Sequence, residues 1–123
     1  MLTKKKILII SDDPRLMGFL SHNLSDRDYS VASTDTMGED LKVMLDNEIP
    51  DLVILDILMP WMDGIELCLR IRQWCPVPII MLSTWGAKKD TIRGLDLAAE
   101  TYLTEPFDIN GLTERIEGAL YRN

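Results

Sequence analysis

The side chains of this sequence that can do chemistry stand directly after short apolar runs. Ser11-Asp12-Asp13 follows residues 7–10, Asp56 follows residues 52–55, Ser83-Thr84 follows residues 77–82, and Thr104-Glu105-Pro106 follows residues 102–103. A carboxylate pair such as Asp12 and Asp56 beside a hydroxyl suits a hard, oxygen-seeking cation such as Mg²⁺. One carboxylate in such a place can also accept a phosphoryl group. Chemistry that needs imidazole or thiolate is poorly served. His22 is the only histidine, and Cys68 and Cys75 form neither a CxxC pair nor a His–Cys cluster. A zinc site and a Ser-His or Cys-His unit are therefore excluded, and the two thiols are expected to be buried and reduced.

For those residues to act together, the elements carrying them must bring them to one place. The apolar runs at residues 7–10, 29–32, 52–55, 77–82 and 102–103 are too short for helices. Several are apolar throughout, as expected of strands covered on both faces of a parallel sheet. Helical stripes separate them: Leu16, Leu20 and Leu24, then Met37, Leu41, Met44 and Leu45, and finally Ile109, Leu112, Ile116, Ala119 and Leu120. Asp13-Pro14 reads as an N-cap followed by proline at the first helical position. Thr36-Met37-Gly38-Glu39 fits a capping box, Asp63-Gly64-Ile65-Glu66 resembles one, and Asp108 can cap the last helix. Strand and helix alternate five times, which implies a parallel α/β sheet with helices on both sides. Ligands of such sheets bind outside the carboxyl ends of the strands, where the residues that follow the apolar runs fall.

Composition narrows the classes. A chain of 123 residues, 46% hydrophobic and 27% charged, is one ordinary compact domain large enough to need no metal or disulfide staple. Its net charge of −7 argues against a domain that grips nucleic acid by the phosphate backbone. No apolar run reaches the ~18 residues of a membrane span, and the four apolar residues after Lys4-Lys5-Lys6 are too few for a signal-peptide core. A cytoplasmic location is expected.

The sequence resembles response-regulator receiver domains, the phosphoacceptor half of two-component signalling. The likeness runs from about Lys6 to Tyr121. It rests on Ile7-Leu8-Ile9-Ile10-Ser11-Asp12-Asp13-Pro14 and on Pro50-Asp51-Leu52-Val53-Ile54-Leu55-Asp56-Ile57-Leu58-Met59-Pro60-Trp61-Met62-Asp63-Gly64. It continues in Pro78-Ile79-Ile80-Met81-Leu82-Ser83 and closes with Tyr102-Leu103-Thr104-Glu105-Pro106-Phe107. The resemblance implies a flavodoxin-like, doubly wound sheet of five parallel strands in the order 2-1-3-4-5 with five helices. Residues 1–123 are then one receiver domain, any C-terminal effector domain being absent. Asp56 is implied as the phosphoacceptor, taking its phosphoryl group from a histidine kinase. Asp12, Asp56 and the backbone carbonyl of Leu58 are implied as holders of Mg²⁺. Ser83 matches the hydroxyl that binds a phosphoryl oxygen, and Tyr102 matches the aromatic that turns inward when Ser83 moves. Such a domain is not a conventional enzyme, although it assists its own phosphorylation and dephosphorylation.

Two positions depart from the family pattern. The family places two adjacent acids after the first strand, and in register these fall at Ser11 and Asp12, so the first is a serine. The lysine that normally precedes the proline after the fifth strand falls at Glu105. The usual three acids and one lysine sum to −2, whereas Asp12, Asp56 and Glu105 sum to −3 if all face inward. A pair of unit charges about 4 Å apart is worth on the order of 4 kcal/mol at an effective dielectric of 20, so exchanging attraction for repulsion weighs heavily on a phosphoryl dianion. Glu105 is open to three readings: an outward, solvated residue beside a weakened site, an inward metal ligand replacing the acid missing at Ser11, or a sign of a degenerate site. Thr84 stands where the family usually has a small residue, and its branched side chain should crowd access to the phosphoryl group.

The wording of residues 94–107 is closest to the receivers of winged-helix transcription factors, which implies a role in transcriptional regulation without direct nucleic-acid binding by this domain. Those receivers dimerise through the face made by the fourth helix, fifth strand and fifth helix. Glu100, Arg115 and Arg122 fit its charge set; Thr101, Gly111 and Glu117 do not. Two alternatives to a phosphorylation switch stay open. One is a degenerate receiver acting as a phosphorylation-independent interaction module. The other is a flavodoxin-like FMN carrier, against which stand the acids where a hydroxyl- and glycine-rich phosphate loop would be needed.

Overall fold

The computed structural model describes residues 4–35, 39–57, 61–83, 101–104 and 108–121; for residues 39, 57, 61–66, 83 and 101–104 it describes the backbone alone. The elements are β1 (Lys6–Ile10), α1 (Pro14–Ser25), β2 (Ser30–Thr34), α2 (Glu39–Glu48), β3 (Leu52–Ile57), α3 (Trp61–Trp74), β4 (Ile79–Ser83), β5 (Thr101–Thr104) and a last helix, α4 (Ile109–Tyr121). The strands form one parallel sheet in the order β2-β1-β3-β4-β5, the order expected from the sequence. A helix expected between β4 and β5 falls outside the described residues. So do Thr36, Met37 and Gly38 of the expected capping box; α2 starts at Glu39.

The period-two alternation of β1, β3 and β4 sorts their side chains between two cores. Leu8, Ile10, Val53, Leu55, Ile79 and Met81 face α2 and α3, where they meet Leu41, Leu45, Leu67, Cys68 and Ile71. Ile7, Ile9, Leu52, Ile54, Ile80 and Leu82 face α1 and α4, against Leu16, Leu20, Leu24, Leu112 and Ile116. The fully apolar runs are thus explained by cover on both faces. Of the helical stripes, Leu16, Leu20, Leu24, Leu41, Leu45, Leu112 and Ile116 are buried, Met44, Ile109, Ala119 and Leu120 are partly buried, and Met37 lies outside the described residues. Asp63 lies in the first turn of α3 rather than at its cap, because the helix already starts at Trp61. An acid is favoured in a first turn by the helix dipole as well as at a cap, so the local sequence does not separate the two placements. β2 also starts later than the apolar pattern suggests, because Tyr29 belongs to the α1–β2 turn and is buried against the α1–α4 core.

The thiols differ from expectation. Neither forms a disulfide, but only Cys68 is buried and Cys75 is half-buried. Burial pushes the Cys68 thiol up to about 11 despite the nearby Arg72, and burial also raises Cys75, assisted by the negative charge of Asp46. A thiol titrating near 11 is ionised in only about one molecule in a thousand at pH 8. Thiol-directed alkylation at pH 8 should therefore mark Cys75 first and reach Cys68 only as the protein opens; comparing peptide masses over time checks this. Since the folded Cys68 value exceeds the ordinary thiol value of 9.0, its contribution to stability is whole below pH 9 and is lost as pH rises through about 11.

Ile49, just past α2, has φ 47° and is 75% exposed. Its amide donates to the Leu45 carbonyl at 3.0 Å, so it ends the helix in the left-handed conformation where a β-branched residue is strained. Ile49→Gly should raise the unfolding free energy by about 1 kcal/mol, measured by urea titration.

Candidate functional site

The site grows out of the register between β1 and β3. Ile9 pairs with Ile54 and Ile10 with Leu55, so the next residues on the two chains are Ser11 and Asp56. Both continue the alternation that faces α1, and both are buried: Ser11 is 0% and Asp56 1% exposed. The Ser11 amide is held by the Thr34 carbonyl of β2 at 3.0 Å, which keeps residue 11 aligned with the sheet beyond the end of β1. The Ser11 hydroxyl lies 2.7 Å from Asp56 Oδ2 and 3.0 Å from the Asp13 amide nitrogen.

The direction of this pair of bonds follows from its chemistry. The Asp13 N–H can only donate and an ionised carboxylate can only accept, so the single hydroxyl proton goes to Asp56. A hydrogen bond to a carboxylate is stronger than a neutral one, roughly 1.5–3 kcal/mol, and offsets part of the cost of taking Asp56 out of water. Asp13 in turn caps α1: its φ of −101° and ψ of 106° are extended, and its carboxylate accepts from the Arg15 amide at 3.0 Å. Pro14 follows at the first helical position, where its missing N–H costs nothing. Asp13 is therefore a cap, as its place before Pro14 suggests.

The other candidates divide by where they fall. Asp12 is exposed on the bend between Ser11 and Asp13, close in sequence to the buried pair. Ser83 ends β4, pairing with Ile57 on one side and Thr104 on the other, one step beyond the Asp56–Leu82 pair. Tyr102 pairs with Met81 in β5. The backbone thus brings Asp56, Ser83 and the β1–α1 turn to the same carboxyl edge. Leu58, Thr84, Glu100, Glu105 and Arg122 lie outside the described residues, and Arg115 is exposed on α4. The hydrogen bond made by Ser11 is the feature that the sequence did not reveal. The sequence shows only that each of the two residues directly follows a four-residue apolar run, 7–10 and 52–55.

Among the described residues no cluster of three or more His, Cys, Asp or Glu is placed to hold a metal ion. Two carboxylates and a backbone carbonyl nevertheless match the oxygen donors of Mg²⁺, which binds through one or two carboxylates and keeps several waters. The donor set of Asp12, Asp56 and the Leu58 carbonyl fits that cation chemically.

Comparison with known proteins agrees with this architecture. Residues 7–117 match the response regulator receiver domain family. The chain belongs to that family. It is 42% identical over 98% of its length to a probable transcriptional regulator, ycf27, of Guillardia theta, covering 47% of that protein. It is 36% identical over 97% of its length to the alkaline phosphatase synthesis transcriptional regulatory protein PhoP of Bacillus subtilis, covering 50%. The chain thus spans about half the length of the curated relatives it matches. Among solved structures, the BeF3-activated N-terminal receiver domain of Klebsiella pneumoniae RstA superposes with a TM-score of 0.83 at 28% identity, covering 96% of this chain and 100% of that one. A response regulator from Chloroflexus aurantiacus gives 0.83 at 32% identity, covering 98% and 100%. No helix among the described residues is long and apolar enough to cross a membrane.

Removing the cap tests the local account of the β1–α1 turn. Asp13→Ala should cost about 1 kcal/mol in a urea titration, while Asp13→Asn, which retains a capping oxygen, should cost a few tenths.

Proposed function

We propose that this receiver accepts a phosphoryl group on Asp56 from the phosphohistidine of a histidine kinase and so switches a partner-binding face of a cytoplasmic transcriptional regulator. The observation that carries this reading is the buried Asp56 carboxylate at the carboxyl edge of β3, oriented by Ser11 beside the acidic β1–α1 turn. Phosphoryl transfer asks for alignment of an acceptor oxygen and for offset of charge on the phosphoryl oxygens. The sheet supplies the first by fixing the strand end from which Asp56 projects.

Asp12, Asp56 and the Leu58 carbonyl would hold Mg²⁺, with Glu105 as a further candidate ligand. When bound, the ion supplies the positive charge that the missing lysine would otherwise contribute. Ser83 and Tyr102 serve as the switch pair, with Thr84 narrowing access. The output face joins the expected fourth helix, β5 and α4, where Glu100, Arg115 and Arg122 are the charges for a homodimer. The domain assists its own phosphorylation and dephosphorylation without being a conventional enzyme, and it makes no direct contact with nucleic acid. Residues 1–123 form one domain.

A second reading is favoured by the same hydrogen bond. Ser11 engages an Asp56 oxygen where the family pattern has an acid, which suits a receiver that holds one state and binds partners without phosphorylation. Incubation with phosphoramidate and Mg²⁺ decides between the two. The first reading expects a phosphoryl adduct on Asp56 by mass spectrometry, lost in Asp56→Asn and at least tenfold faster in Glu105→Lys. No adduct in either the parent or Glu105→Lys would leave the interaction module as the function.

A further inference from the structure

On the reading that Asp56 is the acceptor, we infer that Ser11 is a positioning residue that restrains phosphorylation and relays the state of Asp56 to the entry of α1. Ser11 is wholly buried, and of its two hydrogen bonds the one to Asp56 is buried and the one from Asp13 part-buried. One runs to Asp56 Oδ2 at 2.7 Å, the other comes from the Asp13 amide at 3.0 Å. Asp13 then holds the first turn of α1 twice, through its side chain to the Arg15 amide and through its carbonyl to the Met17 amide, each at 3.0 Å. From Asp56 to the first turn of α1 the path crosses one short side chain and one peptide, with no long flexible group between.

The restraint follows from what happens to Oδ2. With phosphoramidate as donor, Asp56 Oδ1 attacks phosphorus, the P–N bond breaks, and ammonia leaves with the bonding pair, its nitrogen already fully protonated in the zwitterionic donor. The negative charge of the carboxylate is then shared no longer by Oδ2, which becomes the carbonyl oxygen of the acyl phosphate. A neutral carbonyl accepts more weakly than a carboxylate. Ser11 therefore stabilises the unmodified state more than the product, and the weakening of its bond loosens the hold on the Asp13 amide.

Two measurements test this. Ser11→Ala should label about fivefold faster than the parent with phosphoramidate at equal Mg²⁺, while Ser11→Thr, which keeps the hydroxyl, stays near the parent rate. Equal rates in Ser11→Ala and the parent overturn the restraint. The relay is read without any phosphodonor, by ¹H–¹⁵N spectroscopy of Asp56→Asn. This change removes the charge on the acceptor while leaving Ser11 in place, and it should move the Asp13 amide resonance. An unmoved Asp13 resonance overturns the relay, as does an equal movement when Ser11 is also alanine. If no variant takes up phosphate, the acceptor reading and the restraint fail together. The amide measurement still decides the relay.

Discussion

A carboxylate at the end of a buried strand has lost most of its water, and the structure must give it something in return. Asp56 is 1% exposed at the edge of a sheet whose neighbouring strands are apolar on both faces. The compensation is a hydroxyl placed by register: β1 and β3 run parallel with Ile10 beside Leu55, and the next pair is Ser11 and Asp56. Register in a sheet covered on both faces is tightly specified, because a slip of one residue would send each strand's side chains to the opposite core. The two apolar cores therefore fix the polar contact, although neither contains it.

Serine at position 11 also changes the electrostatics around Asp56. A second carboxylate there would face Asp56 across the ends of two adjacent strands, and two buried acids in contact resist joint ionisation unless a cation lies between them. A hydroxyl removes that conflict and adds a donor. The site is consequently less dependent on a metal ion for its folded arrangement than one with acids at both positions. It also offers such an ion one fewer charged ligand. Asp12, on the exposed bend, retains its carboxylate for solvent or for a cation.

Much of this was legible in the sequence, for physical reasons that differ between elements. The strands announce themselves as apolar runs because helices cover both faces, and α1 announces itself because Asp13 and Pro14 satisfy distinct requirements of a helix start. The order of the strands followed from family resemblance, since alternation of strand and helix alone permits several windings. The start of α3 was less legible, because Asp63 is compatible with a cap or with the first turn. Cys75 was expected to be buried because no metal or redox motif claims it, but it follows the last residue of α3 and is only partly buried against the core. The Ser11–Asp56 bond was hidden because it joins residues 45 positions apart, and only the pairing of two strands shows that they stand side by side. At Ser11 the sequence showed a missing acid; the structure shows a donor.

The same placement joins the end of β1 to two parts of the structure. Ser11 touches the Asp56 carboxylate on one side and the peptide that opens α1 on the other, so its hydroxyl ties the buried acid to the start of the helix beside it. α1 is itself anchored by Leu16, Leu20 and Leu24 against the strand face that includes Ile7, Ile9 and Ile54. A packed helix of this kind resists small, graded adjustment, since its side chains already interlock with the sheet. Its first turn is held in two ways, by Leu16 in that core and by Asp13, which accepts from the Arg15 and Met17 amides. The start of α1 is thus the part of the helix joined through Ser11 to Asp56, and a change of charge on that carboxylate reaches the helix through the Asp13 amide.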